Sequence, residues 1–383
     1  MADIKNLMAQ LYKLEGAVID RRNIHSTVVG TKSPSLNFTF GNGWGLPFGY
    51  TLVLYGPPKG GKSVIANAMI AQLHSDYPDA VAVKFDTEMR ENGQMSEVTA
   101  KLWGIDLDRY ICFSVNSPDL IFDRISKEIA ALIEKGLNVR LVIIDSLTGI
   151  LGRRAMNQDT IMTQQIGDLA LTLQEGLKQI LPVQRKHGFS VVLTAQVRAE
   201  MDQLEQKRGN KFKMAASFGV QHHSEYFMFV EMNRNKDARA DLLGNTFTDD
   251  TMKDLNDNSD RTGHKIRISM KDSSMGPKGR CGEFTFDYNK GIINTYEEVF
   301  LLGANRGVIE RPNQTSYAFG GRKWVGKASM IQALEQDSEL RNAVLTELRR
   351  RDAAGLFGDD PEEEDPAVAP AVPSVPPTPT PVA

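Results

Sequence analysis

Between residues 51 and 195, short apolar runs alternate with stretches in which apolar residues recur at helical spacing. The apolar runs have the length of buried strands and lie at 51–56, 80–86, 110–115, 139–145 and 190–195. The predicted helices lie at 62–74, about 92–103, 119–135 and 161–186. Strands that read as continuous apolar runs and alternate with helices predict an α/β fold, with a mainly parallel sheet covered by helices on both faces.

Beyond residue 225 the pattern changes. Strands are predicted at 226–232, 265–270 and 283–288 without helices between them, which indicates an antiparallel extension of the sheet. A long surface loop is expected over 235–262, which is rich in Asn, Asp and Gly. After residue 295, helices are predicted at 297–305, 327–335 and 340–350, with turns and short strands at 309–324.

This pattern divides the chain into four parts. Residues 1–34 contain an amphipathic helix over 3–15 and a linker, and a loose, extended chain is expected to about residue 49. Residues 35–294 form the α/β core, and residues 295–352 form a small α+β unit. Residues 353–383 form a tail that is acidic and then rich in Pro, Ala and Val, a composition that predicts disorder.

Composition narrows the class of protein. The 383 residues carry a net charge of −3, so nucleic-acid binding would need a local basic patch. Cys112 and Cys281 are the two cysteines, too few for a disulfide framework, which fits a reducing compartment. The sequence contains no apolar run of about 20 residues that would span a membrane, and no secretory signal. We therefore expect a cytoplasmic protein without a membrane partner.

The strongest motif is a phosphate-binding loop between the first core strand and its helix. It reads Gly56-Pro57-Pro58-Lys59-Gly60-Gly61-Lys62-Ser63. In such a loop the backbone N–H groups and the helix N-terminus bind phosphate, so the loop predicts ATP as ligand. Lys62 is expected at the β- and γ-phosphates and Ser63 at Mg²⁺. The plain alternative is a glycine-rich turn without a ligand, which the strand–loop–helix context disfavours.

Polar side chains at the ends of three strands complete the candidate site. Asp145 ends an apolar strand, as does the acid that steadies Mg²⁺ in P-loop proteins. Asp86 and Glu88 end an earlier strand and point the same way, so either could orient an attacking water. A structural acid that accepts backbone N–H bonds is the alternative for both. Gln196 follows the strand at 190–195 and could sense the γ-phosphate.

The order of these motifs resembles that of the RecA-type homologous recombinases. The matching segments are the P-loop, Phe85-Asp86-Thr87-Glu88, Ile143-Ile144-Asp145-Ser146 and Thr194-Ala195-Gln196-Val197-Arg198. Similar segments are Gly45-Leu46-Pro47 with Gly49, Phe286-Asp287-Tyr288 with Gly291-Ile292, and Ser316-Tyr317 with Gly326-Lys327-Ala328. The resemblance covers roughly residues 35–350. A phage-encoded member of the UvsX kind is the narrower expectation.

The resemblance implies a RecA-like ATPase core that uses ATP and Mg²⁺. The implied nucleotide-binding residues are Gly56, Pro57, Pro58, Lys59, Gly60, Gly61, Lys62, Ser63, Val64 and Asp145, with Ser63 and Asp145 at the metal. Alongside Lys62 in catalysis, Glu88 resembles the glutamate that polarises the lytic water, and Gln196 the γ-phosphate sensor. Lys271 resembles a lysine that reaches the ATP of the neighbouring subunit. The family usually places a second cation two residues further on, where this chain has Ser273; Lys278 is the alternative cation.

Two segments that follow site strands resemble the family's DNA-binding loops, about 149–163 and 197–219. The implied DNA-binding residues are Arg153, Arg154, Arg198, Lys207, Arg208, Lys211, Phe212 and Lys213. Basic side chains around an aromatic ring suit single-stranded DNA, whose backbone is anionic and whose bases stack. Two solvated surface loops are the alternative.

The leading functional hypothesis is a DNA-dependent ATPase that forms a helical filament on single-stranded DNA and drives homologous pairing and strand exchange. A replicative helicase and a RecA-like regulatory or scaffold ATPase are the alternatives. From the sequence, the helix over 3–15 could pack on its own domain or on the adjacent subunit, and the resemblance favours the adjacent subunit. Arg322, Lys323 and Lys327 would contact double-stranded DNA, with a solvent-exposed charged face as the alternative. The acidic tail would compete with DNA or bind a single-strand-binding or mediator protein.

Overall fold

The computed structural model describes residues 27–41, 43–91, 95–152, 168–199, 212–214, 218–233 and 263–355. The strands are β1 Val28–Val29, β2 Leu46–Pro47, β3 Thr51–Gly56, β4 Val81–Asp86, β5 Tyr110–Phe113, β6 Val139–Asp145, β7 Ser190–Ala199, β8 Phe212–Met214, β9 Tyr226–Met232, β10 Gly263–Ser273, β11 Cys281–Asp287, β12 Gly291–Ile293, β13 Glu310–Asn313, β14 Ser316–Phe319 and β15 Arg322–Val325. The helices are α1 Pro34–Thr39, α2 Lys62–Asp76, α3 Glu97–Trp103, α4 over 118–134 with a π-helical middle at Arg124–Ile129, α5 Asp168–His187, α6 Phe218–His222, α7 Thr295–Asn305, α8 Lys327–Gln336 and α9 Ser338–Ala353.

The described strands of the core form one large sheet in the order β12-β11-β10-β9-β3-β7-β6-β4-β5. Strands β9, β3, β7, β6, β4 and β5 run parallel, while β10, β11 and β12 are joined by antiparallel pairs. This arrangement confirms the predicted α/β class with a mainly parallel sheet and an antiparallel extension. Among the described residues, no helix is long and apolar enough to cross a bilayer.

Helices cover both faces of the sheet because its central strands are apolar on both sides. Leu52 and Leu54 face one layer, which contains α2, while Val53 between them faces the layer of α4 and α5. This alternation follows from the two-residue period of a strand. Its consequence is a rigid sheet whose strand ends hold the polar residues of the site.

The described C-terminal residues pack around α7, with β13–β15 forming a small antiparallel sheet. Phe38 and Trp44, from the segment before β3, are part of the same apolar cluster. Asp352 in α9 lies 2.6 Å from the Arg280 guanidinium and accepts a 2.9 Å hydrogen bond from the Trp44 ring nitrogen. These buried polar contacts tie the C-terminal residues to the core. The four-part division of the chain stays a prediction.

The expectation of a loose, extended chain up to about residue 49 is wrong. This segment contains α1 and the β1–β2 pair. The Ser33 hydroxyl caps α1 by accepting the backbone N–H of Leu36 at 3.1 Å, and Pro34 occupies the first helical position. Six residues are too short to show a helical period, which is why the pattern misses this helix.

The second predicted loop, 197–219, is also corrected at its ends. Strand β7 continues to Ala199 and pairs antiparallel with β8, so that Arg198 lies opposite Lys213. The ends of this loop are therefore the stem of a hairpin, followed by α6. The predicted helix over 3–15, the loop over 235–262 and the tail beyond 355 lie outside the described residues.

Candidate nucleotide-binding site

The sheet register brings the predicted site residues to one edge. Gly56 at the end of β3 pairs with Gln196 in β7, and Asp86 at the end of β4 pairs with Asp145 at the end of β6. Strand β6 lies beside β7, which connects the two pairs. Ligands of parallel sheets bind outside the carboxyl ends of the strands. Gly56, Asp86 and Asp145 lie at those ends, and Gln196 is the last residue of β7 that pairs with β3.

The P-loop has the close backbone packing that its glycines predict. A Cβ on Gly56 would lie 1.9 Å from the carbonyl oxygen of Val230, so the loop approaches β9 too closely for any side chain. Gly61 has a φ of +106°, and a Cβ there would meet Ile266 at 2.5 Å. Helix α2 begins directly afterwards, so its first N–H groups lack helical acceptors and face the loop. The loop therefore fits a phosphate.

The remaining residues of the P-loop segment differ in how far they are exposed. Pro58 and Lys59 are exposed, while Pro57, Ser63 and Val64 are half-buried and Gly60 is buried. The amine of Lys62 donates to the carbonyl oxygens of Gly56 at 2.9 Å and Pro57 at 2.8 Å. Burial lowers the pKa of Lys62, and the carboxylates of Asp145 and Glu88 oppose that shift. A phosphate oxygen is a stronger acceptor for this amine than either carbonyl.

Asp145 lies at the predicted position, with both oxygens in contact with the protein. Its Oδ1 accepts a 2.5 Å hydrogen bond from the hydroxyl of Thr194 in β7, and its Oδ2 lies 3.6 Å from the amine of Lys84. The peptide bond between Asp145 and Ser146 is cis. The donor set at this edge, a half-buried serine hydroxyl at residue 63 and this carboxylate, is the oxygen type that Mg²⁺ prefers.

Glu88 points into the site. Its Oε1 accepts hydrogen bonds from the Ser146 hydroxyl at 2.9 Å and from the Gln196 amide at 3.3 Å. Its Oε2 lies 2.9 Å from the guanidinium of Arg90, whose side chain is exposed. Glu88 therefore touches both the strand of Asp145 and the root of the β7–β8 hairpin.

Asp86 has a different task. Its carboxylate accepts the backbone N–H groups of Glu88 at 3.1 Å, Arg90 at 2.5 Å and Glu91 at 2.6 Å. This carboxylate caps the turn that carries Glu88. Of the two acids that the sequence left open, Glu88 is thus the one placed to reach a ligand.

Two polar residues of the site escaped the sequence interpretation. Lys84 and Thr194 stand inside strands that otherwise read as apolar, and both are buried. Burial alone would lower the pKa of Lys84, but the carboxylates of Asp145 and Glu91 outweigh it and raise that pKa. A charged residue within the apolar run Val81–Asp86 was the signal that could have revealed Lys84.

The candidate DNA-binding residues are only partly described. Arg198 is exposed on β7, and Phe212 on β8 is 44 % exposed and stacks on Phe229, with ring centroids 6.1 Å apart. Lys213 lies in β8, and nothing further is described of its side chain. Arg153, Arg154, Lys207, Arg208 and Lys211 lie outside the described residues.

Lys271 is not brought together with the P-loop of its own chain. It is the extra residue of a bulge in β10, between Met270 and Asp272, and it is exposed. Because β10 is antiparallel to β9, this bulge lies level with the middle of β3, away from the strand end where the P-loop begins. A bulge of this kind re-aims a side chain.

The two residues near Lys271 that the sequence raised have local partners. The hydroxyl of Ser273 accepts the backbone N–H groups of Met275 at 3.2 Å and Gly276 at 2.8 Å. The amine of Lys278 lies 2.6 Å from Asp272. Ser273 therefore caps a turn, and Lys278 is held in an ion pair at the surface.

The strand, P-loop and helix, with Asp145 and Glu88 at the carboxyl edge of a mainly parallel sheet, define an ATP-binding protein of the P-loop class. The family model for the RecA N-terminal domain matches residues 9–212, which is more than half of the chain. The chain belongs to the RecA family. This membership confirms the recognised resemblance and, with it, the assignment to ATP-binding, DNA-binding proteins of recombination and repair.

Curated relatives match over most of the chain. The RecA protein of Oleidesulfovibrio alaskensis is 22 % identical over 332 residues, covering 85 % of this chain and 83 % of the relative. That of Mycoplasmopsis pulmonis is 23 % identical over 321 residues, covering 84 % of each. That of Mesomycoplasma hyopneumoniae is 22 % identical over 347 residues, covering 89 % of this chain and 92 % of the relative. The phage-encoded UvsX subtype stays a prediction.

Proposed function

We propose that the protein is an ATP-dependent DNA recombinase that forms a helical filament on single-stranded DNA and promotes homologous pairing and strand exchange. The observation that carries this proposal is the hydrogen bond between Gln196 and Glu88. Gln196 pairs with Gly56 of the P-loop and lies at the root of the β7–β8 hairpin, and Glu88 is the acid that faces the nucleotide site. One bond thus links the ATP site to the segment expected to contact DNA.

Each site residue has a task in ATP hydrolysis. The P-loop N–H groups and the Lys62 amine bind the β- and γ-phosphates, and Ser63 and Asp145 hold Mg²⁺. When bound, Mg²⁺ neutralises charge on the phosphates. Glu88 acts as general base and takes the proton of the attacking water. Its bonds to Ser146 and Gln196 fix the orientation of the carboxylate before a ligand arrives.

Binding of ATP then changes the hairpin. A γ-phosphate near Gln196 competes with Glu88 for the amide N–H, and a shift of Gln196 moves the strand that carries Arg198. Arg198 supplies a cation for the DNA backbone, and the exposed ring of Phe212 supplies a surface on which a base can stack. Coupling between two sites is reciprocal, so DNA bound at the hairpin also favours ATP.

The position of Lys271 favours an assembly. This exposed lysine lies away from its own P-loop, so it reaches an ATP only in a neighbouring copy. Head-to-tail contacts that do not close build a helical filament. In the described sheet β5 is an edge strand, and its exposed apolar residue Ile111 offers a surface that the apolar face of a helix can cover. The predicted helix over 3–15 of the next subunit is the segment proposed to pack at this side.

The remaining partners are part of the same proposal. Arg322, Lys323 and Lys327 are exposed on β15 and α8, where they can contact the phosphates of double-stranded DNA. The acidic tail beyond residue 353 competes with DNA or binds a single-strand-binding or mediator protein. The proposed location is the cytoplasm, or the host cytoplasm for a phage-encoded protein.

The proposal is tested by strand exchange between circular single-stranded DNA and a homologous linear duplex, with ATP and Mg²⁺. We expect joint molecules that require both, and none with Lys62→Ala. Lys127→Ala, which changes an exposed lysine of α4, is the matched control and should exchange strands normally. Unwinding of the duplex without pairing would support the helicase, and ATP turnover indifferent to DNA would support the scaffold.

A further inference from the structure

A buried lysine lies behind the acidic side chains of the site. Lys84 is 1 % exposed in the middle of β4, whose neighbours in sequence are apolar. Its amine lies 2.8 Å from Oε2 of Glu91, 3.3 Å from Oδ1 of Asn67 and 3.6 Å from Oδ2 of Asp145. A buried charge is costly unless it is paired, so these contacts are what makes a lysine tolerable here.

The partners of Lys84 come from three different parts of the site. Asn67 lies in α2, the helix that the P-loop opens, and Asp145 ends β6. Glu91 ends the turn that Asp86 caps and that carries Glu88. One amine therefore connects the P-loop helix, the proposed metal-binding acid and the turn of the proposed general base.

Glu91 is itself held on both oxygens. Its Oε2 binds Lys84, and its Oε1 accepts the hydroxyl of Tyr110 in β5. Burial, together with the Glu91 carboxylate, raises the pKa of Tyr110, so the phenol keeps its proton and remains a donor. Glu91 cannot turn away from Lys84 without giving up both of these contacts in the interior.

The positive charge of Lys84 lies near the carboxylates of both Glu91 and Asp145. Lys84 stands as one positive charge between two carboxylates, those of Glu91 and Asp145. Without it the two carboxylates would repel each other with no cation between them, and the Asp145 side chain would turn away. The Thr194 hydroxyl holds only Oδ1 of Asp145, so nothing else described in the structure fixes Oδ2.

We propose that Lys84 is a positioning residue, which divides its charge between Glu91 and Asp145 and thereby holds the Asp145 carboxylate in place at the nucleotide edge. This inference rests on the proposed function of the P-loop site. It predicts that the effect of Lys84 appears in the Mg²⁺ dependence of nucleotide binding and depends on whether Glu91 is charged. A residue that only fills the core would show neither behaviour.

The test is a Mg²⁺ titration of binding, without DNA, of a ribose-labelled fluorescent ATP analogue. Lys84→Met should raise the half-saturating Mg²⁺ concentration about ten- to a hundred-fold, the range found for residues that orient metal ligands. The double variant Lys84→Met with Glu91→Gln should return to about threefold of the wild type, because it removes both charges of the pair. Lys101→Met, on the exposed side of α3, is the matched control and should leave the titration unchanged.

A folded Lys84→Met variant with the wild-type Mg²⁺ dependence would overturn the inference, and so would a double variant as impaired as the single one. If Lys84→Met does not fold, the double variant alone provides the test. A folded double variant with near-normal Mg²⁺ dependence supports the inference, and an unfolded or impaired double variant overturns it. Wild-type binding that needs no Mg²⁺ would instead contradict the proposed ATP site itself.

Discussion

The side-chain amide of Gln196 donates a hydrogen bond to Oε1 of Glu88, with 3.3 Å between nitrogen and oxygen. The two residues come from different strands, Gln196 from β7 and Glu88 from the turn after β4. Strand β6, which ends in Asp145, lies between those strands in the sheet. The bond therefore spans the nucleotide edge and ends at the root of the β7–β8 hairpin, and in the proposed function it is the link between ATP and DNA.

Gln196→Ala should separate ATP binding from the response to DNA. Without its amide, the hairpin no longer registers the γ-phosphate, while the P-loop and Lys62 are untouched. We expect the affinity for ATP without DNA to stay within about threefold of the wild type, and the stimulation of turnover by single-stranded DNA to be lost. The measurement is ATP turnover with and without DNA, beside a binding titration.

Gln72→Ala is the control for this variant, because the Gln72 amide in α2 binds Asp76 at the surface. It should keep full stimulation by DNA. Full stimulation in Gln196→Ala as well would remove Gln196 from the coupling.

Glu88→Gln should bind ATP but hydrolyse it slowly. The amide keeps the size of the side chain and can still accept hydrogen bonds from Ser146, but it cannot take a proton from water. We expect kcat for ATP to fall by about 10²-fold or more, the usual contribution of a general base, with ATP binding retained. Glu97→Gln, an exposed acid in α3, serves as control, and turnover near the wild-type level in Glu88→Gln would assign the base elsewhere.

Lys271→Ala should bind ATP normally and fail in DNA-stimulated turnover, because in the proposed filament its partner phosphate belongs to the neighbouring subunit. Complementation tests this directly. Lys62→Ala subunits lack a working P-loop but offer Lys271, whereas Lys271→Ala subunits offer the P-loop. A mixture of the two should hydrolyse more ATP than the sum of both alone. Activity that only adds up would argue against a contribution in trans.

Glu298 makes stability depend on pH. This fully buried carboxyl accepts the Ser33 hydroxyl at 2.5 Å and the Ser35 N–H at 3.0 Å, and burial raises its pKa from 4.5 to about 8. The folded state thus holds a proton that the unfolded chain releases above pH 4.5. The stabilising effect is complete below that pH and is lost as pH rises to about 8, on the order of a few kcal/mol.

The measurement is the free energy of unfolding by urea at pH 6 and pH 8 for the wild type and for Glu298→Gln. The wild type should lose stability between the two pH values, and the variant should lose distinctly less, because its amide accepts the same bonds without titrating. Equal losses in both proteins would show that another group causes the pH dependence.

The buried strands were the most predictable part of the fold. Strands β3, β6 and β9 lie at the predicted bounds, because a strand covered on both faces is a continuous apolar run between polar ends. The positions of the P-loop and Asp145 after apolar strands were visible in the sequence for the same reason. These residues need only local pattern and chain order.

What the sequence missed depends on contacts between distant residues. The role of Lys84 depends on the fold, which places its amine within reach of both Glu91 and Asp145. The hairpin of β7 and β8 was read as a loop, because its polar residues carry no strand period. Strand alternation alone left Asp86 and Glu88 open, and the family resemblance pointed to Glu88; the three backbone bonds to Asp86 now show its capping role.

Electron microscopy of the protein on single-stranded DNA, with Mg²⁺ and a non-hydrolysable ATP analogue, tests the central claim most directly. The account predicts helical filaments that require the nucleotide and are absent with Lys62→Ala. Closed rings, or DNA complexes that form equally well without nucleotide, would contradict it.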